Sequence, residues 1–342
     1  MKFVIKHSLF ISIVLFTLFF FLFFLYMDLR EIMFLLHRDY KNNYIGGLFI
    51  HSWFFLIPMV VFFILMIVFT AFYMKKNKGM NKWITFSLAL FYELVFTFVY
   101  SLYALAPGFC FFPKAYGSSN ISIDKVKEVE VFVEDTSYTS LYYDNDYNEV
   151  TLLFVGNAQN AKGVFHNIKD DLDTSKRNLL IMDYPMFGYN YGTLNEETIY
   201  KEVDQYMSFL IEQEGYSYKE IRICGFSIGT GVATYCASKY KDVESLILFA
   251  PYYTFSDAMN HLVNVFHGPL LGCVRFKFPS HSNALNITCP TIIYYSDGDK
   301  IIPMESTLKL ISCFKDCKAI LVPNVSHNKV FYNKDLALSL LH

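Results

Sequence analysis

Apolar positions follow two regimes along the chain. Up to residue 106 they form long runs almost free of charge, Ser8 to Tyr26, Leu48 to Met74 and Trp83 to Ala106. A helix rises about 1.5 Å per residue, so each run is long enough to cross a bilayer core of about 30 Å. Three transmembrane helices over 8–26, 48–74 and 83–106 are the expectation. The first run is phenylalanine-rich and has no small-residue cleavage site after it, which favours a retained helix over a signal peptide. Residues 107–127 read as a linker, with a hinge at Gly117 to Asn120. From there the apolar stretches shorten. Val126 to Asp144 is strand-rich, and Leu152 to Val155, Lys219 to Cys224, Leu246 to Phe249, Thr291 to Ser296 and Lys318 to Val322 each read as a short buried strand. Glu197 to Glu214 carries the 3.6-residue period of an amphipathic helix. Strand and helix alternate to the end, which predicts an α/β domain over 128–342: a mainly parallel sheet with helices on both faces. A short cap insertion, 252–288, separates two of its strands.

Charge divides at the same boundary. Residues 1–106 hold nine Lys or Arg against four Asp or Glu, net +5, and residues 107–342 hold 20 against 27, net −7, which together give the −2 of the whole chain. A net-negative domain argues against nucleic acid as a partner, because that binding depends on basic surfaces that neutralise phosphates. The densest basic cluster is Lys75, Lys76, Lys78 and Lys82, between the second and third runs. Such clusters stay cytoplasmic. With three spans, the folded domain is then expected in the lumen or outside the cell, and the chain is expected to be an integral, multi-pass membrane protein. Sequons at Asn120, Asn286 and Asn324 are compatible with that side. Glu93 lies near the middle of the third run, where a carboxylate is costly and is expected to face protein, locking helices together, or to act as a functional acid.

Chemistry concentrates after the strand that ends near Cys224. Gly225, Phe226, Ser227, Ile228 and Gly229 place a serine between two glycines at a strand-to-helix turn. Such a turn is strained, and a side chain at either glycine would crowd it. It projects the hydroxyl above the sheet and aims the next backbone N–H at a developing oxyanion. A serine hydroxyl is a weak nucleophile at neutral pH. It needs an imidazole, and the imidazole needs a carboxylate to fix its tautomer. Asp297 and Asp299 follow the Thr291 to Ser296 strand, and His327 follows the Lys318 to Val322 strand. No CxxC pair, His and Cys metal spacing, Walker loop or dinucleotide glycine fingerprint is present, so no cofactor and no metal is implied.

Nucleophile, acid and histidine in that order, each after a strand, resemble the α/β-hydrolase superfamily. The likeness is to its membrane-tethered serine hydrolases, the branch with serine-aminopeptidase-like domains, protein depalmitoylases and lysophospholipid or monoacylglycerol lipases. Leu152 to Ala158 resembles the branch's oxyanion loop, a hydrophobic strand running into His, Gly, Asn, Ala, with Val155 in place of the histidine. Asp183 to Gly192 is similar to its Asp, Tyr, Arg, Gly, Tyr, Gly segment, from which Pro185 and Met186 depart. Asp299 to Pro303 and His327 with Asn328 also match. The resemblance implies Ser227, Asp299 and His327 as the triad, Gly225 and Gly229 as the elbow, and backbone N–H groups of Ile228 and of Asn157 or Ala158 as the oxyanion hole. It implies hydrolysis of an acyl ester or thioester, of a lipid or a lipidated protein, through an acyl-enzyme. The aromatics of the insertion, Tyr252, Tyr253, Phe255, Phe266, Phe276 and Phe278, are expected to line an apolar acyl groove. A serine peptidase or amidase is compatible with the same triad, and Val155 and Pro185 also suit a catalytically silent membrane scaffold.

Overall fold

A computed structural model describes residues 125–172, 176–192 and 194–332, Phe111, and scattered positions between 64 and 99. Two compact units make up the chain, residues 110–271 with 276–342 and residues 1–109 with 272–275. In the second of these, the described positions from Trp83 to Val99 are helical, with Ile84, Phe91, Val95 and Phe98 exposed. Among the described residues no helix is long and apolar enough to cross a membrane. The run 8–26, most of 48–74, Glu93 and Asn120 lie outside the described residues.

The larger unit is built on one eight-stranded sheet in the order β1-β2-β4-β3-β5-β6-β7-β8. Its strands are β1 Val126–Val133, β2 Thr136–Tyr143, β3 Val150–Phe154, β4 Asn178–Met182, β5 Ile221–Phe226, β6 Ser245–Phe249, β7 Thr291–Tyr295 and β8 Lys318–Leu321. β1 and β2 form a hairpin and β2 runs antiparallel to β4; every other pairing is parallel. The central strands β3, β4 and β5 are buried at every position. That explains their continuous apolar runs, since both faces of a parallel sheet are covered.

Handedness then places the helices. From β3 the chain passes through α1, Ala161–Leu172, to β4 on one side, whereas from β4 through α2, Glu196–Ser208, to β5, and from β5 through α3, Gly229–Lys239, to β6, it moves to the other. Right-handed crossovers taken in opposite directions put α1 on one face and α2 and α3 on the other. Short helices α4, Phe255–Leu262, and α5, Ser280–Ala284, follow β6; α6, Met304–Ile311, joins β7 to β8; α7, His327–Phe331, follows β8.

Several boundaries differ from the sequence pattern for local reasons. Strand β5 begins two residues later than expected, because Ser217 and Glu220 close a capping box around a 3-10 turn over Tyr218–Glu220. It also runs on through Gly225 and Phe226. The long amphipathic helix ends at Ser208 and continues as a π turn, Phe209–Gln213. Within the span read as linker, β1 starts at Val126 and Phe111 is buried, its ring 4.4 Å from Phe276.

The insertion departs most from expectation. Tyr252, Phe255, Phe266, Phe276 and Phe278 are all buried. Phe276 stacks on Phe278 at 5.9 Å, and Phe255 meets Phe278 edge-on at 5.6 Å. These rings fill a small core instead of lining an open groove, because rings this large gain more by packing on each other than by facing water. Among the described residues, one carboxyl group is buried with neither oxygen compensated. Glu202, on the inner face of α2, is 0% exposed and neither carboxyl oxygen has a hydrogen-bond partner. Burial, and then the charge of Asp183, push its carboxyl well above the usual range.

Candidate active site

The sheet brings three loops together at the carboxyl ends of its parallel strands. β5 delivers Ser227 directly, in the left-handed region at φ 54°. The turn is tight because backbone closes on it from two sides. A Cβ at Gly225 would lie 2.6 Å from the Gly229 carbonyl oxygen and 2.7 Å from the Ala233 Cβ, and one at Gly229 would collide with the Phe154 carbonyl. The Ser227 N–H donates to the Phe249 carbonyl at 2.9 Å, and its carbonyl accepts from the Thr230 hydroxyl at 2.6 Å. These bonds oppose the cost of the conformation, about 1–3 kcal/mol for a residue with a side chain. Ile228 follows at the start of α3, where a backbone N–H has no intrahelical acceptor.

The other two side chains arrive from the last two strands. His327 Nε2 lies 2.8 Å from Ser227 Oγ, and His327 Nδ1 lies 2.7 Å from Asp299 Oδ2. A carboxylate only accepts, so the ring donates from Nδ1 and presents Nε2 as acceptor to the serine hydroxyl. Asp299 Oδ1 is held by the N–H groups of Ile301 at 2.8 Å and Ile302 at 2.9 Å, and the side chain is only 2% exposed. Asp297 does something else. Its Oδ1 accepts from the Asn324 N–H at 2.7 Å and ties the acid loop to the histidine loop. Ser296 adds to that tie, donating to the Val325 carbonyl at 2.9 Å and accepting the Val325 N–H at 3.2 Å. Behind the histidine, Phe226 stacks on Phe331 at 4.9 Å and faces the imidazole at 5.0 Å.

The loop after β3 supplies the remaining edge. The Ala158 N–H is directed to Asn157 Oδ1 at 3.0 Å, and Ala158 adopts φ 57°. Three partners escape the sequence pattern. The Tyr184 hydroxyl donates to the Val155 carbonyl at 2.8 Å, the Gly156 N–H donates to Gln159 Oε1 at 2.7 Å, and Gln159 Nε2 donates to the Tyr332 hydroxyl at 2.8 Å. Gln159 and Tyr332 are 173 positions apart, and no local pattern signals such a pair. Met186, where the resembling segment has glycine, takes φ 71°. Among the described residues no group of His, Cys, Asp and Glu is placed to hold a metal ion.

Residues 186–327 match the model of the dienelactone hydrolase family. The chain is similar to "Uncharacterized protein R595" of Acanthamoeba polyphaga mimivirus, 26% identical over 213 residues, 56% of this chain and 70% of that protein. It is also similar to the lysophosphatidylserine lipase ABHD12 of Macaca fascicularis, 25% identical over 197 residues, 51% of this chain and 49% of the lipase. The match thus spans about half the length of that lipase. Among solved structures, esterase Pf2001 of Pyrococcus furiosus superposes with a TM-score of 0.56 at 15% identity over 67% of this chain and 95% of the esterase, a likeness of fold.

Proposed function

The chain belongs to the α/β-hydrolase superfamily, and from that premise we propose that it is a serine hydrolase of acyl esters or thioesters. The observation that carries the proposal is the continuous hydrogen-bonded line from Asp299 through His327 to Ser227, with both links at 2.7 to 2.8 Å. His327 Nε2 takes the hydroxyl proton as Ser227 Oγ attacks the acyl carbon. Asp299 stabilises the imidazolium that forms. The oxyanion is received by the N–H of Ile228 and by one from Asn157 or Ala158 on the loop after β3. Collapse expels the alcohol or thiol with the proton returned by His327, and water repeats the cycle on the acyl-enzyme.

A membrane lipid or lipidated substrate is the class proposed. Support comes from the three apolar runs, from the exposed apolar positions Ile84, Phe91, Val95 and Phe98 on the helical residues of the third, and from a relative that is a lysophospholipid lipase. A substrate confined to the bilayer of a tethered enzyme reaches it at raised effective concentration without any new contact. The lysine cluster between the second and third apolar runs supports an exoplasmic hydrolase domain as part of this reading.

The test is labelling of the full-length chain by a fluorophosphonate probe, with hydrolysis of a long-chain acylglycerol or acyl thioester compared with an aminoacyl amide. Labelling and ester cleavage are expected, both abolished in Ser227→Ala. Faster Ser227-dependent amide cleavage would replace the ester reading by a peptidase, and no Ser227-dependent turnover would leave a scaffold. Protease added to sealed vesicles is expected to digest the domain from the exoplasmic side only.

A further inference from the structure

The oxyanion loop and the histidine come from opposite ends of the domain's chain, and a contact outside the triad joins them. Val155 offers the loop no side-chain hydrogen bond, so its polar support comes from elsewhere. Tyr184 holds the Val155 carbonyl from the β4 side. On the other side Gln159 uses both ends of its amide: the oxygen takes the Gly156 N–H at 2.7 Å, and the nitrogen donates to Tyr332 at 2.8 Å. Tyr332 directly follows α7, whose first residue is His327 and whose last, Phe331, is stacked on Phe226. We infer that Gln159 and Tyr332 form a brace that positions the oxyanion loop against the histidine helix, so that the N–H donors and the general base address one reacting carbon together. The inference rests on the proposed serine-hydrolase reading.

Neither residue touches the reacting atoms, so both act as positioning residues. Displacing an oxyanion donor by about 1 Å costs on the order of 100-fold in turnover, with little effect on ground-state binding. The chemistry of the brace also defines a rescue. A glutamate at 159 still accepts the Gly156 N–H, and the phenol of Tyr332, turned about its C–O bond, donates to the second carboxylate oxygen. A leucine at 159 makes neither bond.

The experiment uses the full-length chain in detergent micelles and a short-chain p-nitrophenyl ester. Tyr332→Phe and Gln159→Leu are each expected to lower kcat by about 10- to 100-fold with KM within about twofold. Affinity for a trifluoromethyl ketone inhibitor should fall by the same factor. The double variant should be no slower than Gln159→Leu alone, because that change already removes the bond that Tyr332→Phe deletes. Gln159→Glu should return most of the rate. Unchanged kcat in both single variants, or losses that multiply and accompany a fall in melting temperature unrelieved by Gln159→Glu, would overturn the brace. Hydrolysis that survives Ser227→Ala would instead overturn the reading beneath it.

Discussion

Replacing Glu202 by glutamine should change the stability of the domain by an amount that moves in the variant's favour as pH rises. The carboxyl is 0% exposed, has no hydrogen-bond partner and is held above its ordinary range by burial and by Asp183. The folded state therefore keeps a proton that the unfolded chain releases above about pH 4.5. When the folded pKa is the higher one, the stabilising contribution is complete below the unfolded value and is lost as pH rises toward the folded value. One extra bound proton gives a slope of about −1.4 kcal/mol per pH unit. Where the folded state keeps the proton between pH 5.5 and 7.5, each pH unit costs about that much, or about 3–6 °C in melting temperature for a domain of this size. Glutamine does not titrate, so the difference between variant and wild type isolates this one group, apart from a constant for the buried amide. Differential scanning calorimetry across that pH range measures it. A difference independent of pH would refute the argument and mean that Glu202 is ionised or solvated in the folded protein.

The two aspartates of the β7 loop should separate cleanly. Asp299→Asn is expected to cut kcat by about 10⁴ by upsetting the imidazole tautomer, whereas Asp297→Asn keeps an acceptor for the Asn324 N–H and should cost less than tenfold, as steady-state kinetics on a short-chain ester will report. Gly229→Ala should abolish both activity and soluble expression of folded protein, since the added methyl meets the Phe154 carbonyl, whereas Gly215→Ala, with open space around it, should leave kcat unchanged. Met186→Gly should be neutral or stabilising in thermal melting, by up to about 1 kcal/mol, because the left-handed conformation at φ 71° costs methionine about that much more than glycine. A loss of several degrees would mean that the methionine side chain packs well enough to outweigh the strain.

Much of the site was legible because its chemistry constrains sequence locally. The elbow needs two glycines around a serine after a buried strand, and Gly225, Ser227 and Gly229 could be read without a third dimension. Asp299, Asp297 and His327 followed from strands that end where loops begin. The choice between the aspartates, in contrast, became physical only with the hydrogen bonds of each: one carboxylate meets the imidazole, the other a backbone N–H. The aromatic insertion was legible as apolar but not as closed. Periodicity says that Phe255, Phe276 and Phe278 avoid water, not that Phe111, from a stretch read as linker, completes their core. Gln159 and Tyr332 were out of reach for the same reason, since their partnership exists only once the loop after β3 meets the end of α7. The strand-order reversal around β3 and β4 likewise has no local signature.

The position of β8 at the border of the sheet has one more consequence. Of its four residues, Lys318, Ala319 and Leu321 are exposed and Ile320 is half-buried, so little apolar surface resists its detachment, while the nucleophile sits on β5 in the middle. Openings of low free energy begin at such borders. The loop that follows β8 carries the general base, and the bonds of Asp297 and Ser296 to Asn324 and Val325 help hold that margin in place. Warming the protein would therefore silence the reaction before the sheet melts, and enzymatic turnover becomes a gauge of fraying at one edge, read out while the centre of the fold is still intact.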